Sequence, residues 1–371
     1  MAYLNRLRQA ITFPRGVVLV ATYLLLVSLL RYTRVRYKKR KFGYTDRASL
    51  ASMTNEDAYK IQRYIMELEF PFTAQKALEF ALFRTYGIPT ISKLLVQTGQ
   101  LSDKDYALKR IADTEVLLVE FIGHEPDHDR ALAGIARMNQ IHAHYQKAGK
   151  ISNDDMLYTL SLFALEPVRW VRRYEWRELE DWERCAFAVF WKSTGDAMGI
   201  DFGSLPSAKT GWRDGLHWME EVEQWSLEYE AQHMVPNIYN KKTADQTTAM
   251  LVYSIPAALR GVARQAVSAL MDDRLRKAMM DTGRIHRTKY DSEPWYVKRS
   301  LGNRWSLQAW QLWLSGKPIP GDRGDFFRPQ GWLPHEVGPA FLSGKGKAEL
   351  EADKKRLAAM GRMGCPMAFG R

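Results

Sequence analysis

The sequence predicts an all-α protein: a single large helical domain preceded by an N-terminal transmembrane anchor. Apolar residues recur at steps of three and four through most of the chain, and the alternation typical of strands is never sustained. A short apolar run near the N-terminus is followed by a dense basic block. With 371 residues, 46% of them hydrophobic and 12% aromatic, the chain is long and apolar enough to bury a core, as one large domain or two smaller ones, and a disordered chain is excluded.

The anchor is predicted at residues 16–32, after a short N-terminal segment of residues 1–15. Val17–Leu30 is mostly apolar but short for a bilayer span, which needs roughly 17–25 residues. Arg31 and Tyr32 extend it, because both side chains can reach the membrane interface. A cleaved signal peptide also has a short apolar region, but no small-residue cleavage site follows here. We therefore expect a retained signal-anchor.

A basic juxtamembrane linker is predicted at residues 33–50. The formal net charge is +12, and much of it lies in this block. No nucleic-acid-binding motif accompanies it, so a membrane surface is the better explanation. The asymmetry of the flanking charges places residues 31–371 in the cytosol, and the two cysteines, Cys185 and Cys365, fit that reducing compartment. Three basic residues precede the apolar run and seven follow it: Arg6, Arg8 and Arg15, then Arg31, Arg34, Arg36, Lys38, Lys39, Arg40 and Lys41.

A helical catalytic domain is predicted over residues 51–290. Gly87, Gly99 and Gly149 end predicted helices, Ser152 with an acid three residues on begins another, and Pro167 is expected to end it. The predicted helices cover about 55–68, 72–86, 89–98, 102–121, 129–149, 152–165, 181–199, 214–234, 243–255 and 257–281.

A C-terminal extension is predicted over residues 291–371. Glycine, proline and tryptophan become frequent beyond Asp291 and the regular pattern fades. A mostly charged helix is expected at 349–360, and the rest is expected to be irregular and to pack on the domain.

The helix at 129–149 is the best candidate for carrying a cofactor. It begins after Asp129, a good N-cap residue, and its apolar face would turn His142 toward the interior. Arg137 falls on the neighbouring edge together with Ile141 and His144. An inward imidazole beside an arginine is a plausible cofactor site, and a hydrogen-bonded core histidine is the alternative. The residues that share the face are Leu132, Ile135, Met138, His142 and Tyr145.

Two histidine motifs match metal-binding patterns in sequence but lack the geometry that those sites require. His124, Glu125 and His128 match the H-E-x-x-H pattern of zinc peptidases, but Pro126 lies inside the helical turn that the pattern requires. A polar loop is expected instead. His142 and His144 are two residues apart, so on a helix they point about 200° apart and cannot hold one ion together. One axial histidine on a haem suits this spacing better than a cluster of several histidines.

Two further pairs stand at helical spacing. Glu230 and His233 have the Glu-x-x-His spacing of di-iron helix bundles, but no second such pair is found. His233 is therefore either a buried structural residue or a single ligand. Lys192 and Asp196 lie one turn apart, and an ordinary surface salt bridge is the simplest interpretation.

Three blocks, in this order, resemble the fungal ER-bound oxygenases of the MpaB type, which are similar to the bacterial rubber oxygenases called latex clearing proteins. Residues 131–145 contain Ala-Arg-Met-Asn-Gln-Ile-His-Ala-His-Tyr, and residues 152–167 begin with Ser-Asn-Asp-Asp-Met-Leu-Tyr. Residues 190–200 read Phe-Trp-Lys-Ser-Thr-Gly-Asp-Ala-Met-Gly-Ile, and 226–240 adds weaker similarity. The resemblance covers about half of the chain.

The resemblance implies a partly globin-like, all-α domain that binds haem b and is attached to the endoplasmic reticulum. The implied reaction is dioxygen-dependent cleavage of a carbon–carbon double bond in an isoprenoid or other lipophilic substrate, as part of fungal secondary metabolism. Dioxygen, a lipophilic small molecule and membrane lipid are the expected partners, and nucleic acid is not.

The resemblance also bears on the site residues. Arg137 matches the arginine of the family's first motif, expected near the distal side of the haem, and Arg137 or Lys192 would steer bound oxygen. Rubber oxygenases carry their axial histidine in the following helix, but Met156–Arg173 contains none. By helical phase we predict His142 as the iron ligand, with His144 and His233 as the alternatives.

Two other classes of function stay open at this point. One is a membrane-anchored zinc metallohydrolase that uses His124, Glu125 and His128. The other is a non-catalytic helical membrane scaffold.

Overall fold

The computed structural model describes residues 13–99, 104–252, 255–281, 334–342 and 344–367. Within these ranges the chain forms helices and turns and no β-strand, which confirms the all-α prediction. The chain divides into two compact units, residues 1–50 and 51–371.

The first unit contains the apolar helix α1, Phe13–Leu30, followed by α2, Thr33–Phe42, and the short α3, Arg47–Leu50. Among the described residues, one helical stretch, Gly16–Phe42, is long and apolar enough to cross a bilayer. The basic block is helical, because lysine and arginine are good helix formers. Gly43, with φ of +79°, ends α2 by donating its N–H to the Lys39 carbonyl at 3.0 Å.

The second unit is a bundle of helices. A π-helical turn, Ile65–Glu69, continues α4, and single turns of 3₁₀ helix lie at Ala257–Leu259, Pro334–Glu336 and Ala340–Leu342. The helices are α4 Asn55–Tyr64, α5 Pro71–Thr85, α6 Pro89–Gln97, α7 Lys104–Ile122, α8 Asp129–Lys147, α9 Asn153–Tyr174, α10 Asp181–Ala197, α11 Gly215–His233, α12 Ile238–Leu251, α13 Arg260–Leu270, α14 Asp273–Ala278 and α15 Lys347–Ala359.

Side-chain caps explain where several helices begin. The Ser152 hydroxyl accepts the N–H of Asp155 at 3.0 Å, so the predicted cap of α9 is confirmed. Thr54 does the same for Asp57 at the start of α4, at 3.1 Å. Each hydroxyl satisfies a backbone donor that has no partner within its helix.

Helix α9 lies at the centre of this unit and packs against α5, α10 and α11. The rings of Phe163 and Trp191 stack across α9 and α10 with centroids 4.9 Å apart. Gly195 lets the same two helices approach closely, because a Cβ there would lie 2.6 Å from Leu160 Cδ2 and 2.7 Å from Phe202 Cζ. The core is therefore built around this helix pair.

The prediction that the helix after Ser152 ends near Leu165 is wrong, since α9 continues through Pro167 to Tyr174. Proline lacks an N–H, and its ring crowds the preceding turn, which costs about 3 kcal/mol in a helix interior. Leu165, Pro167, Val168 and Val171 are all buried. Burial of large apolar side chains at about 1.5–3 kcal/mol each offsets the cost.

Two boundaries also differ from the prediction. Helix α12 begins at Ile238 rather than at residue 243, because the Asn237 side chain caps it by accepting the Tyr239 N–H at 2.9 Å. The predicted helix over 257–281 is interrupted after Leu270. Asp272 there accepts the N–H of Leu275 at 2.9 Å and so begins α14 as a separate helix.

The C-terminal residues return to the start of this unit. Helix α15 packs on α8 and corresponds to the charged helix predicted at 349–360. Further on, the carbonyls of Met363 and Gly364 accept the N–H groups of Glu56 and Asn55 at 3.3 and 3.0 Å. The first turn of α4 is thus satisfied by the end of the chain. The prediction for residues 291–333 lies outside the described residues.

Candidate functional site

Helix α8 carries most of the residues predicted to form a site. His128, rather than the predicted Asp129, is its N-cap residue, because the His128 Nδ1 accepts the N–H of Arg130 at 3.2 Å. Gly134 brings α8 against α7, since a Cβ there would lie 2.9 Å from the Glu120 Cβ. The buried face of α8 comprises Ala131, Leu132, Ala133, Gly134, Ile135, Ala136, Arg137, Ile141 and Tyr145.

His142 and His144 differ in their surroundings. His142 is half-buried and His144 is exposed, whereas Ile141, which precedes them, is buried. The His144 ring lies 5.4 Å from the ring of Phe341, near the end of the chain. The interior of α8 is centred closer to Ile141 than the periodicity predicted, because the C-terminal residues cover that side. Which histidine holds a cofactor stays a prediction.

Arg137 is fully buried, and its guanidinium binds backbone from the C-terminal part of the chain. Nε donates to the Val337 carbonyl at 2.8 Å, and Nη2 donates to the Leu342 carbonyl at 3.0 Å. Nη1 donates to the Gln140 side chain at 2.6 Å. Burial lowers the pKa of Arg137, and the Asp113 carboxylate opposes that shift.

The side chain of Lys192 is largely buried on α10. Its Nζ lies 2.8 and 3.0 Å from the two carboxylate oxygens of Asp196, and 5.5 Å from the ring centroids of both Phe202 and Trp212. Burial raises the pKa of Asp196, although the Lys192 ammonium favours the carboxylate. The pair is therefore more than an exposed salt bridge, because the cation is also held over two aromatic rings.

His233 is exposed at the end of α11, where its ring lies 4.4 Å from the ring of Tyr229. Glu230, its neighbour in the Glu-x-x-His spacing, is buried instead. The Glu230 carboxylate accepts hydrogen bonds from Arg84 at 2.7 and 2.8 Å and from the Tyr158 hydroxyl at 2.9 Å. Since both its oxygens are bonded to these groups, Glu230 does not form half of a di-iron site with His233.

The His124–His128 segment is a loop, as Pro126 predicts. The two imidazole rings stack, with centroids 4.9 Å apart and planes 24° from parallel. The His124 Nδ1 lies 2.9 Å from the Glu120 carbonyl, and Glu125 is exposed. Across the described part of the chain, no group of three or more histidine, cysteine, aspartate or glutamate side chains is arranged to hold a metal ion.

The predicted residues thus lie at separate places on three helices, α8, α10 and α11, and the C-terminal residues join α8 to α10. Asn139 on α8 donates to the Ala197 carbonyl at the end of α10, at 3.1 Å, and to Asp353 on α15, at 2.9 Å. Gln140 donates to the Gly346 carbonyl at 2.9 Å. These contacts are not predictable from the sequence, where their only signal is the presence of two amides inside the block that contains Arg137.

A cavity of about 330 Å³ lies elsewhere, between α12 and α14. Charged side chains dominate its lining, and none of the predicted site residues contributes to it. Its lining residues are Lys241, Asp273, Arg276, Lys277, Met280 and Asp281.

Comparison with known proteins identifies one family. Its profile, described as ER-bound oxygenase mpaB/B′/rubber oxygenase, catalytic domain, matches residues 90–291. The chain is 41% identical over 388 aligned positions to the ER-bound oxygenase mpaB′ of Penicillium brevicompactum, covering 93% of this chain and 92% of that protein. It is 50% identical to the ER-bound oxygenase mpaB of Penicillium roqueforti, strain FM164, over 75% of this chain and 93% of the relative. It is 44% identical to the ER-bound oxygenase mpaB of Penicillium brevicompactum, over 83% of this chain and 84% of that relative.

Proposed function

The chain belongs to the family of ER-bound oxygenases and rubber oxygenases and is therefore an oxygenase, and we propose that it uses haem b to cleave a carbon–carbon double bond of an isoprenoid or other lipophilic substrate. Cleavage of one double bond by one dioxygen molecule yields two carbonyl groups. All atoms are then accounted for, and no external reductant enters the stoichiometry.

The observation that carries the cofactor proposal is the set of side chains available as ligands. A non-haem iron or zinc centre needs about three protein ligands, and no such cluster is assembled among the described residues. A porphyrin iron needs one imidazole. His142, half-buried on α8, is the ligand we propose, with His144 and His233 as alternatives. When bound, haem would supply the redox-active iron for dioxygen chemistry.

The chain's own residues would supply the apolar and cationic surroundings. Leu117, Ile141, Tyr145 and Val337 form a buried apolar cluster around α8. Such apolar surroundings suit a lipophilic chain and an oxygen-activating site. The oxygen-steering roles predicted for Arg137 and Lys192 stay predictions.

The proposed location is the membrane of the endoplasmic reticulum, with one span and the catalytic domain on the cytosolic side. Three relatives are named ER-bound, and α1 is a candidate anchor. The basic residues that follow α1 support the cytosolic orientation. A lipophilic substrate partitions into the bilayer, so an anchored enzyme would meet it there. The same proposal includes a partly globin-like arrangement, a catalytic domain at residues 51–290 and a C-terminal extension at residues 291–371.

An absorption spectrum of the full-length protein, purified in detergent, tests the cofactor. We expect a Soret band and one haem per chain by the pyridine haemochrome assay. Separate His142→Ala, His144→Ala and His233→Ala variants then identify the ligand. Loss or a strong shift of the band in His142→Ala alone supports the proposal. Loss in His144→Ala alone means that the opposite side of α8 binds the haem, and the absence of a haem signal from folded wild-type protein overturns the cofactor proposal.

The reaction is tested by dioxygen uptake with farnesol as the isoprenoid probe. One dioxygen consumed per pair of carbonyl products is expected for double-bond cleavage. Hydroxylated products that need an added reductant would contradict it. The metallohydrolase alternative requires bound zinc, and the scaffold alternative requires that folded protein carry no chromophore.

A further inference from the structure

We propose that Arg137 is a positioning residue that clamps the C-terminal strap, residues 334–342, onto α8, so that the strap forms the wall of the candidate cofactor region on the His144 side of that helix. The second half of this statement rests on the function proposed above. The first half, the clamp, stands on the contacts of Arg137 alone.

The clamp consists of one guanidinium and two backbone carbonyls. Arg137 uses Nε for the Val337 carbonyl and Nη2 for the Leu342 carbonyl, at 2.8 and 3.0 Å. These acceptors lie five residues apart, so one planar side chain holds the strap at two points, its middle and its C-terminal end. Arginine presents its N–H donors in a rigid fork, whereas lysine carries a single ammonium. The geometry therefore requires arginine rather than any cation.

The strap side of the contact is equally specific. Gly338 has φ of +112°, a conformation that glycine adopts most readily, and a Cβ there would lie 2.8 Å from the Ile141 Cδ1. Val337 beside it is 1% exposed and packs with Leu117 and Ile141. The strap backbone can approach α8 because residue 338 has no side chain.

The strap also reaches one candidate cofactor residue, the alternative ligand His144. Phe341 lies against the ring of His144, with centroids 5.4 Å apart, and Phe341 is 47% exposed. Just beyond the strap, the Gly346 carbonyl accepts from Gln140 at 2.9 Å. Arg137, Gln140 and His144 thus all face the same C-terminal residues, so moving the strap would change the surroundings of His144, the alternative ligand on the side of α8 opposite His142.

A direct role for Arg137 at dioxygen makes a different prediction. Three of the five N–H groups of its guanidinium are used for protein contacts, and the side chain is fully buried. If its positive charge were the functional property, Arg137→Lys would retain most of the activity. If the fork that grips the strap is the functional property, Arg137→Lys would behave like Arg137→Ala.

Hydrogen–deuterium exchange on the full-length protein in detergent measures the clamp directly. We expect strap amides to exchange about tenfold to a hundredfold faster in Arg137→Ala and Arg137→Lys, because hydrogen bonds from a buried charged group are lost. Gly338→Ala disrupts the same contact from the strap side and should accelerate the exchange of the strap amides to the same extent. Gly149→Ala is its control, since Gly149 also has positive φ, +66°, but has open space around it.

The Soret band and dioxygen uptake with farnesol are recorded on the same folded variants. Gly338→Ala leaves Arg137 intact, so a shifted band and reduced uptake in that variant support the positioning role. Unchanged strap exchange in Arg137→Ala overturns the clamp. If Gly338→Ala accelerates strap exchange but keeps the wild-type Soret band and wild-type dioxygen uptake, the proposal that the strap forms a wall of the site is wrong. Absence of haem from the wild type refutes the cofactor proposal and with it the wall, while the exchange data still decide the clamp.

Discussion

The guanidinium of Arg84 on α5 holds both carboxylate oxygens of Glu230 on α11. The Nε lies 2.7 Å from Oε1, and Nη2 lies 2.8 Å from Oε2, although 146 residues separate the two in the chain. Both side chains are less than a tenth exposed. The Tyr158 hydroxyl donates to the same carboxylate from α9. Three helices of the bundle are therefore joined by one buried ion pair.

Removing one partner of this pair should destabilise the fold strongly. Glu230→Leu leaves the Arg84 cation buried without its bidentate partner, and we expect a loss of about 3–5 kcal/mol in the free energy of unfolding. Denaturant titration in a mild detergent measures it. The double variant Arg84→Met/Glu230→Leu should lose less than the sum of the single variants. Additive losses would show that the two residues are not coupled.

A methyl group at Gly195 should be poorly tolerated. Gly195→Ala places a Cβ within 2.7 Å of side-chain atoms of Leu160 and Phe202, so we expect about 1–3 kcal/mol of destabilisation from overpacking. Gly261→Ala is the matched control, because Gly261 lies in helix α13 with nothing within 4 Å. The control should gain up to about 1 kcal/mol from helix propensity. Equal effects in the two variants would refute the close approach of α9 and α10.

The two cysteines should react at very different rates. Burial raises the pKa of the Cys185 thiol to about 12, so at pH 8 almost none of it is thiolate. Cys365 is only half-buried. We expect iodoacetamide to modify Cys365 at least about a hundredfold faster in folded protein, measured by peptide mass spectrometry.

Raising the pH from 7 to 9 tests the same assignment. The thiolate fraction of Cys185 should stay small over that interval, because both values lie well below its pKa. Labelling of Cys185 should appear only when denaturant unfolds the protein. Comparable labelling of both cysteines in folded protein would contradict the buried position of Cys185.

Glu125 should be dispensable for turnover. It is exposed in the loop that contains Pro126, and the neighbouring imidazoles stack on each other. Glu125→Gln should therefore leave the oxygenase activity within about twofold of the wild type, whereas general-base catalysis typically contributes 10²–10⁴-fold. A loss of that size in folded protein would revive the metallohydrolase alternative.

The membrane orientation has a direct test in intact microsomes. If the basic residues after α1 lie in the cytosol, added protease should degrade residues 51–371 and spare only the anchor. An epitope tag after Arg371 reports the outcome on an immunoblot. Detergent-permeabilised vesicles give the reference for complete digestion, and a tag protected until permeabilisation would refute the orientation.

Local patterns were sufficient to predict the helices and some of their ends. Ser152 caps α9 through a contact only three residues away, so the information is contained in a short segment. Pro167 led to a wrong prediction of where α9 ends. Its local cost is outweighed by burial against helices distant in sequence, and a short segment of sequence does not contain those contacts. Asp272 interrupts the predicted helix over 257–281 and also binds Arg84, another contact between distant segments.

The candidate site was predictable only as a set of residue types. Periodicity placed His142 toward the interior, but the structure centres the buried face nearer Ile141. The acceptors of Arg137 lie 200 and 205 residues further along the chain. Because they are backbone carbonyls, no residue type in the sequence marks them. A charged side chain in a helix can therefore be singled out from sequence, while its partner cannot.

The contact between the start of α4 and the end of the chain has a consequence for biosynthesis. Asn55 is among the first residues of the helical unit to be made, yet its side chain bonds to the Arg362 carbonyl, 307 residues later. At about 5–20 residues per second, the ribosome needs roughly 15–60 s to cover that distance. Throughout that interval α4 lacks the carbonyls that satisfy its first turn. A nascent chain therefore stays exposed to chaperones and proteases until residues 362–364 have been made, and truncation before Arg362 is expected to leave the whole unit incompletely closed.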